Sequence, residues 1–247
     1  MDIQLNNNER IDDLEFNNYK IIQSTSGFCF GIDAVLLSDF AKEIKKGSNI
    51  LDLCTGTGII SILLAGKTEN TKINAIEIQK NVADMAKRSV CLNNLEKRIT
   101  IINEDLKNIT SIFELCSFDA VVTNPPYKKE NSGITNTCKE KLISRHEIMC
   151  NLEDVIKVSS KMLKNSGNFY MVHRPDRLAD IIDLLRKYKL EPKVLRFVQP
   201  FENKAPNLIL IKAVKNSKPF LKVEAPLIVY NRDNSYTDEI LKIYGKI

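Results

Sequence analysis

A buried strand, a glycine-rich loop and an apolar helix follow one another near residue 50, and this succession restricts the fold most. The run Asn49–Leu53 is short and mostly apolar, as in a parallel strand covered on both faces. The loop Cys54–Gly58 (CTGTG) leads into an apolar helix predicted from Ile59 to Ala65. Glycines allow a ligand to approach the backbone, and a helix N-terminus offers free N–H groups. The sequence therefore predicts a nucleotide-binding unit at this turn.

Strands and helices alternate along the rest of the chain. Strands are predicted at Lys72 to Ile78, Ile99 to Asn103, Phe118 to Thr123, Asn168 to His173, Lys193 to Val198 and Asn207 to Val214, and helices at Leu152 to Leu163, Arg177 to Lys187 and Thr237 to Tyr244. We therefore expect an α/β fold with about seven mostly parallel strands and helices on both faces. Ser61 stands where a dinucleotide-binding loop has its third glycine, which disfavours NAD(P).

The segment before Asn49 is predicted to cover this core. Its first ~20 residues are polar and Asn-rich, which predicts a frayed terminus, and a short strand follows at Tyr19 to Gln23. Asp33 stands at an N-cap position before an apolar helix that Gly47 would end. We expect one domain, with a cover at 1–48, a core at 49–214 and a C-terminal extension at 215–247.

Polar side chains stand where four predicted strands end. These are Asp52, Glu77, Asp105 and Asn124. Ligands of such sheets bind beyond the carboxyl ends of the strands, and an acidic residue at the position of Glu77 typically binds ribose hydroxyls. Each carboxylate alone could be a helix cap or a surface charge. Three carboxylates and one amide at corresponding positions favour a ligand site.

The segment Asn124-Pro125-Pro126-Tyr127 follows the fourth predicted strand. Two prolines hold φ near −65° and remove two backbone donors, so the chain must leave the sheet. Carbonyl oxygens, one amide and one flat ring remain, and these suit an exocyclic amine on a planar base. A simple turn between two elements is the other interpretation.

Charge and composition limit the class of protein. The net charge is +5, but residues 1–130 carry 15 Lys and Arg against 18 Asp and Glu, whereas residues 131–247 carry 21 against 13. A basic half is typical of nucleic-acid binding, although solvated helix faces are also Lys-rich. No metal site is indicated, because the six cysteines form no CxxC pair and only two histidines are present. We expect reduced, mostly buried thiols in a cytoplasmic protein without a membrane segment.

Together, Asp52 to Gly58, Glu77, Asp105 and Asn124 to Tyr127 resemble the motifs of class I S-adenosylmethionine-dependent methyltransferases that act on amino nitrogens. Further segments resemble the bacterial tRNA1(Val) adenine N6-methyltransferase family. They are Gln23 to Phe40, Ser144 to Glu147, Pro226 to Tyr230 and Tyr236-Thr237. The resemblance implies a Rossmann-like methyltransferase fold and S-adenosylmethionine as cofactor. The substrate would be an adenine of tRNA, next to the anticodon of a valine tRNA.

The resemblance also implies roles for individual residues. Asn124 and the Pro125 carbonyl would hold the target amine beside Pro126, and Tyr127 would stack on the base. Cofactor binding is assigned to Asp33, Asp52, Cys54, Thr55, Gly56, Gly58, Glu77, Ile78 and Asp105. Candidate RNA contacts are Lys128, Lys129, Arg145, Arg174, Lys193 and Arg196. The polar segment 128–144 is predicted to be a mobile loop, and His146 a surface residue rather than a base.

Three other functions remain open from the sequence. A protein glutamine N5-methyltransferase uses the same Asn-Pro-Pro-Tyr segment, but such enzymes resemble the chain only in the core and generally carry a helical N-terminal domain. A DNA adenine methyltransferase would need a target-recognition insertion, and none is visible. A cofactor-binding protein that docks on RNA without catalysis would not need the intact segment Asn124-Pro125-Pro126-Tyr127.

Overall fold

The computed structural model describes residues 4–25, 31–127 and 151–247. Within these ranges the strands are β1 Glu9–Asp13, β2 Lys20–Ser24, β3 Asn49–Leu53, β4 Lys72–Glu77, β5 Ile99–Asn103, β6 Phe118–Thr123, β7 Leu163–His173, β8 Leu190–Gln199, β9 Leu208–Lys215, β10 Lys222–Val223 and β11 Leu227–Ile228. The predicted core strands are therefore confirmed, and β1, β10 and β11 were not predicted.

The helices also follow the predicted pattern, except that the helix Lys80–Leu92 was not predicted. They are α1 Ile32–Phe40, α2 Ile59–Lys67, α3 Lys80–Leu92, α4 Leu152–Met162, α5 Leu178–Lys187 and α6 Asp238–Ile243, with 3-10 turns at Leu106–Ser111 and Pro175–Arg177. Asn151 begins α4 with a capping box, since its side chain accepts from the Asp154 N–H at 2.8 Å.

The main sheet has the strand order β10-β8-β9-β7-β6-β3-β4-β5, and β11 also pairs with β8. Strands β7, β6, β3, β4 and β5 are parallel, and β9 runs antiparallel between β7 and β8. Nine strands are found among the described residues where about seven were predicted. The two extra strands have two residues each and extend the β8 edge.

Alternate residues of the central strands contribute to two hydrophobic cores on opposite faces. Ile50 and Ala120 pack in one cluster with α1, α2 and α3, whereas Leu51 and Val121 pack in the other with α4 and α5. A sheet covered on both faces needs strands that are mostly apolar, as β3 and β6 are. The predicted mostly parallel, doubly covered α/β architecture is confirmed.

The N-terminal segment is more ordered than the prediction of a frayed terminus. β1 pairs antiparallel with β2 over five residue pairs, and the hairpin binds α3. The Ile22 N–H donates to Ser89 Oγ at 2.9 Å, and Arg88 pairs with Glu9 at 2.6 Å. Because these partners lie far away in sequence, composition alone did not reveal the hairpin.

Two predictions for α1 are wrong. Gly31, not Asp33, is the N-cap, and Asp33 lies inside the first turn. The helix ends at Phe40 with Ala41 as its C-cap, so Gly47 does not close it but turns the chain before β3 with φ of 76°. The predicted helix start was two residues too late. In the structure the Asp33 side chain points toward the sheet, where it contacts Asn124.

The C-terminal extension packs against α1. Ile240 and Ile243 of α6 join the same hydrophobic cluster as Leu36 and Leu37. Thr237 caps α6, and the rings of Tyr230 and Tyr236 stack with centroids 5.4 Å apart, followed by Tyr244 at 5.8 Å from Tyr236. The extension therefore stabilises the helix that carries Asp33.

Three of the six cysteines lie in the ranges that the structure describes. There, Cys54 and Cys91 are half-buried and Cys116 is exposed, so the prediction of mostly buried thiols is wrong for these three. Within the same ranges, His, Cys, Asp and Glu form no cluster that could hold a metal ion. No described helix has the length and apolar character required to cross a membrane.

Candidate active site

The parallel register brings the predicted site residues to one edge of the sheet. Leu53 lies opposite Ile76 on one side and Thr123 on the other. Thr123 also donates its hydroxyl to the Leu53 carbonyl at 3.0 Å. Asp52, Glu77 and Asn124 lie within one residue of these positions, so the structure places them side by side at the carboxyl edge.

The glycine-rich loop leaves β3 through left-handed backbone conformations. Cys54 has φ of 61°, Gly56 of 58° and Gly58 of 89°. Such values are costly for a residue with a Cβ, which explains the glycines and marks Cys54 as strained. A Cβ on Gly58 would also lie 3.4 Å from the Ala86 side chain. The loop thus turns sharply, and Gly58 begins α2 close to α3.

Asp52 is a buried carboxylate with unused bonding capacity. Its Oδ2 accepts the hydroxyls of Thr55 at 2.6 Å and Ser61 at 2.7 Å, while Oδ1 has no partner among the described residues. Burial raises the pKa of Asp52 to about 6, the two hydroxyl bonds oppose this, and the charge of Glu77 adds to it. A cation would relieve this unfavourable negative charge.

Glu77 ends β4 and faces the glycine loop. Its Oε2 accepts the Gly56 N–H at 3.0 Å, and its Oε1 accepts the Gln79 N–H at 2.9 Å. Oε1 also accepts the Gln79 side-chain amide at 3.3 Å, whereas Oε2 can accept a further bond, so a ribose hydroxyl could bind there without breaking these contacts. Ile78 follows half-buried, with its carbonyl bound to the Asn103 amide at 2.9 Å.

Asp105 lies beyond the end of β5 and caps the 3-10 turn that follows. Its Oδ1 accepts the Lys107 N–H at 2.9 Å, and Oδ2 lies 3.4 Å from the Lys107 ammonium. The capping role that each carboxylate could have had from the sequence is thus real for Asp105. A role in cofactor binding stays a prediction for this residue.

The Asn-Pro-Pro-Tyr elbow leaves β6 as predicted, and its polar groups bind Asp33 of α1. Asn124 Nδ2 donates to Asp33 Oδ2 at 3.0 Å, and the Tyr127 hydroxyl lies 2.9 Å from the same oxygen. The hydroxyl is also 2.5 Å from Asn124 Oδ1. Burial, followed by the negative charge of Asp33, raises the pKa of Tyr127 far above its usual value. Tyr127 therefore stays a neutral donor.

His173 is a site residue that the sequence analysis did not identify. It ends β7, is buried, and its ring centroid lies 5.0 Å from that of Tyr127. Burial lowers the pKa of His173 to about 4, and Nδ1 accepts the Arg174 N–H at 2.8 Å. The neutral ring supports Tyr127. Its position at the end of the strand next to β6 was the available signal.

The basic residues predicted to contact RNA occupy different places. Arg174 follows β7 at the edge of the site and has a 56% exposed side chain, close to Asp176. Lys193 lies near the beginning of β8, at the opposite edge, and binds the Lys218 carbonyl. Arg196 is paired with Glu239 at 2.7 Å. Lys128, Lys129, Arg145, His146 and the 128–144 loop lie outside the described residues.

Known proteins are similar to this chain in sequence. The family model described as "Methyltransferase small domain" matches residues 15–188. A tRNA1(Val) (adenine(37)-N6)-methyltransferase of Porphyromonas gingivalis is 30% identical over 204 residues, covering 81% of this chain and 79% of the relative. The enzyme of the same name from Haemophilus influenzae is 25% identical over 230 residues, covering 92% of this chain and 94% of its own.

Solved structures share the fold. A predicted O-methyltransferase from Agrobacterium tumefaciens aligns with a TM-score of 0.71 at 21% identity, covering 87% of this chain and 96% of its own. Trm5 of Methanocaldococcus jannaschii, solved with adenosine, aligns with a TM-score of 0.62 at 17% identity over 87% of this chain and 57% of its own. The fold, the family model and the curated relatives agree: the chain belongs to the methyltransferase small domain family and, within it, to the tRNA1(Val) (adenine(37)-N6)-methyltransferases.

Proposed function

We propose that this protein transfers a methyl group from S-adenosylmethionine to the N6 amine of the adenine next to the anticodon of a valine tRNA. The observation that carries this proposal is the elbow after β6. There the Asn124 amide is held by Asp33, at the same edge of the sheet as Asp52 and Glu77. A tRNA substrate implies action in the cytoplasm.

The chemistry of the residues present fits the cofactor. S-adenosylmethionine supplies, when bound, a methyl group on a positively charged sulfur. Asp52 has an unpaired buried oxygen beside a second carboxylate, which favours a cationic ligand. Glu77 can accept ribose hydroxyls, and the loop Cys54–Gly58 lies against it through the Gly56 N–H. We assign Asp105 to the adenine amine of the cofactor, at the end of the next strand.

The chain acts mainly on the target amine. An aromatic amine delocalises its lone pair into the ring and is a weak nucleophile. By accepting its two N–H bonds, Asn124 Oδ1 and the Pro125 carbonyl would favour a tetrahedral nitrogen with its lone pair directed at the methyl group. They would also stabilise the positive charge that grows on that nitrogen. The proton can leave afterwards, so no general base is required before transfer.

An unpaired loop base suits this site, because it can be turned into the pocket without breaking a duplex. Arg174 is the described basic candidate at the site edge and would contact a phosphate. We expect tRNA affinity to fall steeply with salt, by about 0.7–0.9 in logarithmic slope per phosphate contact. A flat salt response would contradict an RNA substrate.

The proposal is tested by incubating the purified protein with methyl-labelled S-adenosylmethionine and, separately, unmodified valine tRNA, duplex DNA and a peptide-release-factor protein. Nucleoside and amino-acid analysis then locate the label. We expect N6-methyladenosine from the tRNA alone. A valine tRNA with guanine in place of the target adenine is the matched control and should remain unlabelled. Label in glutamine would instead identify a protein methyltransferase.

A further inference from the structure

The hydrogen bonds around the elbow assign a further role to Asp33. We propose that Asp33 is a positioning residue: its carboxylate fixes the Asn124 amide with its oxygen toward the target amine, and takes the Tyr127 hydroxyl bond when that amine binds. This inference rests on the proposed function, since it concerns the amine that accepts the methyl group. It replaces the predicted role of Asp33 as a cofactor ligand.

The orientation of the Asn124 side chain follows from its partner. Asp33 is 9% exposed and can only accept hydrogen bonds when ionised. Asn124 Nδ2 lies 3.0 Å from Asp33 Oδ2. A flipped amide would place its own oxygen against the buried carboxylate, and two acceptors would then face each other without a proton. The carboxylate therefore selects the rotamer in which Oδ1 is available to another donor.

The Tyr127 hydroxyl has two acceptors and one proton. It lies 2.5 Å from Asn124 Oδ1 and 2.9 Å from Asp33 Oδ2, and it can donate to only one of them at a time. When a target amine donates to Asn124 Oδ1, a small rotation about the C–O bond directs the Tyr127 proton to Asp33. No buried donor then loses its partner, so binding of the amine avoids a desolvation cost.

The charge of Asp33 also favours the reaction. A carboxylate that accepts from the amide N–H polarises the amide and makes its oxygen a stronger acceptor. The target nitrogen becomes positive during transfer, and the more negative Asn124 oxygen stabilises that change. Asp33 is held in place, because its Oδ1 accepts the Ala34 N–H at 3.0 Å and α1 packs between the sheet and α6.

The variant Asp33→Asn keeps the size of the side chain and removes its charge. We expect roughly a 10- to 100-fold slower single-turnover methyl transfer to valine tRNA. The Kd values for S-adenosylmethionine and for tRNA should change less than threefold. Asp84→Asn, on the outer part of α3 with a 57% exposed side chain, is the matched control and should react at the normal rate. A weaker cofactor Kd with a normal saturated rate would overturn the inference.

A double-mutant cycle separates positioning from a general structural effect. If Asp33 acts through Asn124, adding Asp33→Asn to Asn124→Ala should cause no further loss of rate. Full additivity of the two losses would contradict this. Asp33→Glu, which keeps the charge, should recover part of the rate. Asp33→Ser serves if the first variant is unstable, and should also slow transfer without weakening cofactor binding.

The outcome also distinguishes this inference from the proposed function. If Asn124→Ala slows transfer strongly while Asp33→Asn reacts normally, only the role of Asp33 is wrong. If Asn124→Ala itself retains full activity, the proposed mechanism fails and the role of Asp33 fails with it.

Discussion

Two buried aspartates lie at the same edge of the sheet and use their oxygens in opposite ways. Ala34 and Asn124 donate to the two oxygens of Asp33, and the Tyr127 hydroxyl lies 2.9 Å from Oδ2. Asp52 accepts the hydroxyls of Thr55 and Ser61 on one oxygen, and the other oxygen has no partner among the described residues. The first carboxylate is satisfied by the fold, and the second is not.

This difference separates a scaffold from a ligand-binding charge. A fully hydrogen-bonded carboxylate can hold a neighbouring group in one orientation, as Asp33 holds Asn124. A partly satisfied carboxylate pays a desolvation cost, which appears as the raised pKa of Asp52, and a cation can recover that cost. The amine side of the site, formed by Asp33 and Asn124, is therefore preorganised. The cofactor side, which contains Asp52, is completed only when its ligand binds.

Removal of the Asn124 amide should slow methyl transfer more than any other change and leave cofactor binding intact. Asn124→Ala removes the acceptor for the target amine and should slow single-turnover transfer by about 100- to 1,000-fold. The Kd for S-adenosylmethionine should stay within threefold, because Asp52 and Glu77 are untouched. Isothermal titration and rapid-quench kinetics measure the two quantities. Unchanged turnover would rule out the assigned mechanism.

Asp52→Asn breaks the cofactor side. The loss of a buried negative charge should weaken S-adenosylmethionine binding by roughly 10- to 100-fold, which corresponds to about 1.4–2.8 kcal/mol. The melting temperature without cofactor should be unchanged or higher, since the charge is unfavourable in the fold. Thermal unfolding with and without cofactor measures both. A large loss of stability instead would show that Asp52 is structural.

The pH dependence of cofactor binding should follow the protonation of Asp52. Because the pKa of Asp52 is about 6, cofactor affinity should fall about fourfold between pH 7.5 and 5.5 as Asp52 is protonated. The folded pKa lies above the unfolded value of 3.8, so this group makes the cofactor-free protein more stable as pH falls through 6. Thr55→Val removes a bond that lowers this pKa, and should move the binding midpoint to higher pH.

A carboxylate outside the site should have the smallest effect on function. Glu9 of β1 pairs with Arg88 of α3 at 2.6 Å, and this bond lowers the pKa of Glu9 to about 2. Its contribution to stability is full above the usual pKa of 4.5 and is lost as pH falls toward 2. Arg88→Met should cost about 1–2 kcal/mol in urea unfolding at pH 7. Methyl transfer should not change.

Local patterns in the sequence were enough for the core of the fold. The apolar runs of β3 and β6 bury both faces, and this alone predicts a covered parallel sheet. The polar hairpin strand β1 was missed, because its order depends on pairing with β2 and on Arg88 of α3 rather than on its own composition. The cofactor and RNA roles of individual residues remain predictions.

The local residue pattern is enough to predict which chemical groups end each strand and where the chain must leave the sheet. Asp52, Glu77 and Asn124 therefore share an edge by register, since parallel strands end on the same side. Which residues of other elements contact these side chains depends on the tertiary structure. Asp33 is 91 residues from Asn124, and a two-residue error in the start of α1 conceals their contact. Burial of His173 and the unpaired oxygen of Asp52 likewise depend on packing, because exposure and hydrogen-bond partners come from residues far apart in the chain.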